Sequence, residues 1–386
     1  MYYATEGFSA LRRTFTSFFA RSWSDIRTPR ASQAIAAMLG LAGPIVVGAM
    51  VGHARIGMVA SLGGLALSGE GKGETFREQA HGLIYALVAG SVAMLTGSGL
   101  AGHGMFTALA TVAVVAVAGL LGGISRPLAR AATLFMLFTI IAANLGAGVA
   151  HPLGIMFLFF LGAAWTAGLS LALRPLFRAV RLARIPDNRS NVAQPSKYSA
   201  GQLLRRWRKS LTHLSGWQYT LRIALCLVVG LGFEWIWPHH HGYWVFITVV
   251  IVVQRNLEAV LKRTFHRAAG TVLGVLLTSL LLLGSSPIWT VIAMITALAA
   301  ARPILMEINY AAYAAVQTPL VILLLDFGQA PSWTVIIDRL AATLVGCALA
   351  LTLGYVGWSK LSPPTRVPHT PTSLDMRVCG SLTSNQ

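Results

Sequence analysis

The sequence predicts an all-α, polytopic membrane protein, with about 12 transmembrane helices arranged as two parallel six-helix repeats. Three observations lead there. First, only 11% of the residues are charged and 55% are hydrophobic, whereas an ordinary soluble domain carries roughly 25% charged residues. Second, the charges fall in narrow bands: residues 79–125, 131–173, 268–301 and 340–359 contain no Asp, Glu, Lys or Arg. One helical crossing needs about 20 apolar residues at 1.5 Å each, so the two longest runs have room for two crossings apiece. A charge at the centre of such a helix costs roughly 3 kcal/mol on insertion scales. Third, the basic residues segregate to one side of the resulting topology. The spans are long continuous runs rather than short alternating ones, which argues against strands.

Taken in order, the chain opens with a basic N-terminal segment, 1–30. Phe8, Leu11, Phe15 and Phe18 recur at helical spacing among Arg12, Arg13 and Arg21. That pattern reads as an amphipathic helix on the inner leaflet, with a frayed basic leader as the other reading. Membrane repeat 1 covers 31–174, with spans at 33–51, 56–68, 81–97, 105–123, 131–149 and 153–173. A basic cytoplasmic linker follows at 175–215. Membrane repeat 2 covers 216–358, with spans at 219–235, 243–254, 268–284, 288–301, 308–325 and 340–358. The tail, 359–386, is rich in Pro, Ser and Thr and reads as disordered and cytoplasmic. The first apolar run starts too late and is too long for a cleavable signal.

With the N-terminus in the cytoplasm, all 30 Lys and Arg except Arg55 and Arg339 fall on the cytoplasmic side. The positive-inside rule therefore accounts for the net charge of +18 as orientation charge, and no nucleic-acid partner is expected. The expected location is the bacterial inner membrane, multi-pass, with both termini cytoplasmic. Cys226, Cys347 and Cys379 are too few and too widely spaced for a disulfide scaffold. His239, His240 and His241 are consecutive and lack a carboxylate or Cys at ligand spacing, so no metal site is expected. The flanking Trp235, Trp237, Tyr243 and Trp244 read instead as an outer aromatic belt. Asp338 and Arg339 read as rim residues. No Walker A, HExxH, Ser/His/Asp order or GxGxxG in strand context occurs, so neither an enzyme nor a resident cofactor is expected.

The halves echo one another. Arg126-Pro127 precedes the fifth span as Arg302-Pro303 precedes the eleventh, and Arg77 with His81-Gly82 opens the third as Arg263, Arg267 and Gly270 open the ninth. Six spans per half give both halves the same orientation, hence repeats related by an axis along the membrane normal.

In the second half a more specific pattern emerges. Tyr243-Trp244, an apolar run to Gln254, a basic turn and then Arg267-x-x-Gly270-Thr271-x-x-Gly274 resemble the fusaric acid resistance protein-like family, which belongs with the aromatic acid exporters. Asn309-Tyr310 and Thr318-Pro319 fit the same pattern. The resemblance is strong over about 215–358 and weak over 31–174. It implies an inner-membrane exporter of aromatic carboxylates or other small organic acids. Many members carry a large soluble domain between their membrane halves, and here the linker has only about 40 residues. The family is also distantly similar to plant anion channels of the malate type, so a passive pore stays open as an alternative. A non-transporting scaffold for envelope assembly is the rival from another class.

Candidate pathway residues lie mainly in span eleven. Asn309, Tyr313 and Gln317 are spaced i, i+4, i+8 on one helix face, with Tyr310 beside them and Thr318 and Pro319 following. Pro319 leaves the carbonyl of Ala315 without its helical donor. Such a break is tolerated where protein buries it or where it lines a water-filled cavity. The stripe therefore reads either as a substrate pathway or as helix–helix adhesion. Asn144, before Leu145-Gly146, marks a similar break in repeat 1, or simply an outer helix end. Glu307 is the candidate proton-coupling carboxylate and Arg302 a candidate for anion attraction, with an interfacial Arg302–Glu307 pair as the plainer reading. Arg263 and Arg267 match the family turn and also serve as orientation charge. The expected partners are the bilayer, a small organic-acid substrate, a periplasmic adaptor and a second copy of the chain.

Overall fold

In a computed structural model of the full chain, residues 29–69, 76–145, 151–182, 199–236, 242–281, 287–325, 333–356 and 358 are described. Among them run thirteen α-helices and one π-helical turn, with no strand. The first half comprises α1 (Pro29–Met50), α2 (Ala54–Leu67), α3 (Phe76–Leu100), α4 (Met105–Leu121), α5 (Arg126–Leu145) and α6 (Pro152–Leu182). A short helix, α7 (Ala200–Ser210), lies in the linker. The second half comprises α8 (Leu214–Ile236), α9 (Tyr243–Val252), α10 (Leu257–Leu281), α11 (Ile288–Ile308), α12 (Tyr310–Leu325) and α13 (Trp333–Leu351), which runs on into the π turn Thr352–Val356. The expected N-terminal amphipathic helix, the His239–His241 cluster and the C-terminal tail lie outside the described residues.

A helix stands at each span the sequence predicts. Seven of them are long and apolar enough to cross a membrane: α1, α3, α5, α6, α8, α11 and α13. The chain is a multi-pass helical membrane protein. Large apolar side chains such as Val47, Phe106, Phe157, Leu225, Leu276 and Ile337 stand exposed on the bundle, as lipid-facing positions would; a water-soluble chain avoids so much exposed apolar surface.

The short apolar helices are mostly interior. Gly57 through Leu67 of α2 are all buried, as are most of α9 and the second half of α12. Ten residues of α9 span only about 15 Å. A helix that short leaves its ends at membrane depth, and surrounding protein rather than lipid must satisfy them.

Packing partners recur across the two halves. In the first, α3 packs on α5 and α6, α2 on α6, and α1 on α2. In the second, α10 packs on α12 and α13, α9 on α13, and α8 on α9. The crossings between halves also pair off: α1 meets α11 and α8 meets α4, while α5 meets α9 and α12 meets α2. One sequence match sits differently. Arg126-Pro127 opens α5, but Arg302-Pro303 lies inside α11, before its end at Ile308.

The prolines inside α1 and α12 are accommodated in the same way. Pro44 in α1 frees the carbonyl of Gly40, which packs against Gly64 of α2. Pro319 in α12 frees the carbonyl of Ala315, which packs against Gly274 of α10. In each case the lost helical bond is offset by a close backbone approach that only glycine permits. Ser61 adds a direct bond in the first half, its hydroxyl donating to Leu41 O at 2.7 Å.

The tightest approach is between α6 and α2, where a Cβ at Gly162 would overlap the Ala60 backbone. Gly168, one face away on α6, has open space around it. Gly162→Leu is expected to lower the thermal midpoint in detergent strongly, with a loss of about 2 kcal/mol or more. Gly168→Leu is expected to leave it unchanged or slightly raised. Equal midpoints for the two variants would contradict the α2–α6 packing.

Candidate anion site

Three helices bring a cationic, aromatic cluster together near the end of the bundle that carries α7. α10 supplies Arg263 and Arg267, one turn apart on the same face. α11 supplies Arg302, and α12 supplies Tyr310, Tyr313 and Gln317. The sequence places both arginines of α10 in a turn ahead of a span that begins at 268. The helix in fact starts at Leu257 and carries them into the bundle. Further along α10, Gly270 and Gly274 let its backbone close up on that of α12 at Ala311 and Ala315.

The rings and guanidiniums interleave. Arg263 Cζ lies 4.8 Å from the centre of the Tyr310 ring, and Arg302 Cζ lies 5.6 Å from that of Tyr313. The two tyrosine rings are 5.8 Å apart, tilted by 31°. Arg302 Nη2 donates to Tyr313 Oη at 3.2 Å, and Arg302 Nη1 donates to Leu65 O at 2.9 Å and to Ser68 Oγ at the end of α2. Arg302 thus ties α11 and α12 to α2 in the other half. Arg263 and Arg267 also act electrostatically on Tyr313.

The cluster holds more donors than acceptors. Nε of Arg263, of Arg267 and of Arg302 is buried without a hydrogen-bond partner, and so are Tyr310 Oη and Gln317 Oε1. Each unmet buried polar group costs about 1–3 kcal/mol, and more when it is charged. Three guanidinium N–H groups beside two phenols suit a carboxylate, which accepts charge-assisted bonds, joined to an aryl ring, which stacks on tyrosine.

The other sequence candidates are placed as follows. Asn309 is the break between α11 and α12 rather than part of a helical stripe. Its backbone is extended, and its Oδ1 accepts from Ala311 N at 2.8 Å, capping α12. Thr318 is fully buried and donates to Ala314 O, while Pro319 is buried where α12 meets α10. Asn144 is on α5, exposed, and donates to Ile140 O at 2.8 Å, within its own helix. Glu307 lies on α11, and its side chain is outside the described set. No group of three or more potential metal ligands occurs among the described residues.

Two buried features were not legible as functional. Arg339, expected at the rim, is only 1% exposed, because α13 begins at Trp333 and carries it inward. Its Cζ lies 3.8 Å from the centre of the Trp244 ring. An arginine beside an aspartate so soon after a predicted loop reads as a rim residue; the available signal is the apolar run Val335-Ile336-Ile337 ahead of the pair.

Other arginines are spent on structure. Arg255 Nη2 donates to Gly119 O at 2.7 Å and its guanidinium stacks on Tyr219 at 4.2 Å, while Trp207 of α7 donates to Leu120 O at 3.0 Å. Together they cap the C-terminal carbonyls of α4. Arg222 Nε donates to Gly354 O at 2.6 Å in the π turn, where the carbonyl is drawn out of the regular helical ladder. These contacts join α4 and the linker to the second half.

The fold and the site together define a multi-pass membrane protein whose second half buries a donor-rich, aromatic cluster suited to an organic anion. Residues 224–353, which hold nearly all of that cluster, match the family described as fusaric acid resistance protein-like. The match covers about a third of the chain. Comparison with curated proteins and with solved structures returned no match.

A buried guanidinium with unmet donors carries an uncompensated desolvation cost, which an apolar side chain of similar length removes. Arg267→Met is therefore expected to raise the thermal midpoint, while Tyr313→Leu, which removes the ring under Arg302, lowers it. Destabilisation by Arg267→Met would mean that the arginine is held for structure.

Proposed function

We propose that this protein exports small organic anions, aromatic carboxylates foremost, across the bacterial inner membrane. The observation that carries this reading is the excess of buried donors at Arg263, Arg267 and Arg302 around Tyr310 and Tyr313. The family match over 224–353 supports the same class of solute. Both termini face the cytoplasm in this reading, so the cluster opens on the inner side. All twelve spans cross the membrane, as two parallel repeats; the matched packing pairs of the two halves support that arrangement.

In this mechanism the anion is drawn from the cytoplasm by the basic band, including Arg205, Arg206, Arg208 and Lys209 of α7. It exchanges its hydration for guanidinium and phenol donors, which offset the cost of burying a charge. Its ring lies on Tyr313 or Tyr310. Because Arg302 bonds to α2 and to Tyr313 at once, an anion that competes for its N–H groups loosens the contact between the halves. Access then alternates as one repeat moves against the other. Glu307 is the proposed site of proton coupling. A periplasmic adaptor and a second copy of the chain are the proposed partners.

A passive anion channel is the second reading; it calls on the same buried donors and needs no coupling carboxylate.

Uptake into inverted membrane vesicles tests the proposal. A panel of aromatic acids should accumulate in vesicles containing the protein and not in empty ones. Arg302→Gln and Gln317→Leu should reduce the initial rate, the former by about tenfold or more for the loss of a charge-assisted contact. A proton gradient should drive accumulation in wild type but not in Glu307→Gln; flux indifferent to the gradient selects the channel. Equal uptake by empty and protein-containing vesicles across the panel would contradict transport altogether.

A further inference from the structure

A second group of unmet donors shares Arg267 with the cluster above. Arg267 and Arg339 are each 1% exposed and stand on α10 and α13, which pack on one another. Two cations out of water on neighbouring helices repel one another in a low-dielectric setting. Arg339 Nε and Nη1, Arg267 Nε and the indole Nε1 of Trp244 are all buried without a hydrogen-bond partner. Trp244 is also 1% exposed, and its ring is stacked on Tyr243 at 4.7 Å. The π face of Trp244 offsets part of the charge on Arg339. It accepts none of the in-plane N–H groups. Asp338 precedes Arg339 and has interactions of its own, yet those four donor nitrogens remain unmet.

From this geometry we infer that Arg267, Arg339 and the indole N–H of Trp244 form a second anion subsite, between α9, α10 and α13. It takes a compact monovalent anion: the carboxylate of the transported acid, or a halide. Arg267 belongs to both groups, since it also acts on Tyr313, so an anion moves from the first to the second by changing partners around one side chain. The subsite rests on the anion-transport reading for its purpose, but not for its chemistry, which follows from the buried donors themselves. It also accounts for a tryptophan and an arginine buried together in one of the shortest helices of the bundle and its neighbour.

Isothermal titration of the full chain in lipid nanodiscs, with benzoate as the probe, tests the subsite. Wild type is expected to take up two benzoates per chain. Arg339→Gln is expected to take up one, with the affinity of the remaining site little changed. Trp244→Phe keeps the ring but removes the N–H, and should weaken one of two sites by about two- to tenfold. Arg302→Gln should impair the other site. Chloride that displaces benzoate from one site in wild type, and from none in Arg339→Gln, marks a general compact-anion site; failure to displace marks a carboxylate site. Two sites of unchanged affinity in Arg339→Gln would overturn the subsite while leaving the first cluster intact. If Arg339→Gln does not fold, Trp244→Phe decides alone, and unchanged affinities at both sites overturn the inference. No benzoate bound by wild type would overturn the subsite and the transport reading together.

Discussion

The architecture turns on guanidinium groups kept away from water without a full set of acceptors. Burying an ion costs several kcal/mol even after relaxation, and a stacked aromatic ring returns only a fraction of that. Arg255 and, through Nε, Arg222 offset part of this cost by binding backbone carbonyls at Gly119 and Gly354, although Arg222 Nη2 stays unmet. Arg263, Arg267 and Arg339 carry no such bond at Nε and rely on Tyr310, Tyr313 and Trp244 nearby. The contrast separates arginines that tie helices together from arginines with buried donors to spare. A bundle that can absorb the second kind must be stable elsewhere, and close glycine contacts supply that stability.

Those contacts also explain how interrupted helices survive at membrane depth. Pro44 and Pro319 each free a carbonyl that lipid could not satisfy, and Gly64 and Gly274 cover it from a neighbouring helix. The same closeness of α10 and α12 brings Arg263 and Arg267 to the tyrosines. Packing and site are therefore one design: what lets the helices meet also sets the distances between cations and rings. Arg302, bonded to α2 across the halves, makes that site sensitive to their relative position.

Much of the fold was legible in the sequence. Uncharged runs far longer than a soluble helix needs placed a span at each helix of the two halves, while the short α7 of the linker carried no such signal. Helix starts were less legible. The arginines of α10 and α13 read as edges because a lone charge normally ends a membrane span, so both helices were drawn too short. What admits those charges is tertiary: rings from other helices, which no local pattern reports. Tyr313 and Gln317 were found by helical spacing, and the structure sets them on α12. Asn309 was grouped with them by the same spacing, although an Asn just ahead of an apolar run is equally a capping signal, and capping is what it does. Trp244 was read as belt because a tryptophan beside a loop commonly is; only its burial and its contact with Arg339 set it apart.

The most direct measurement is an experimental structure of the protein in nanodiscs with 4-iodobenzoate, in which the iodine locates the ring and the density its carboxylate. The account predicts the carboxylate within hydrogen-bond reach of Arg263, Arg267 or Arg302 and the ring against Tyr310 or Tyr313. A structure in which protein carboxylates such as Glu307 already occupy those guanidiniums, with the iodobenzoate confined to the lipid-facing surface, would contradict it.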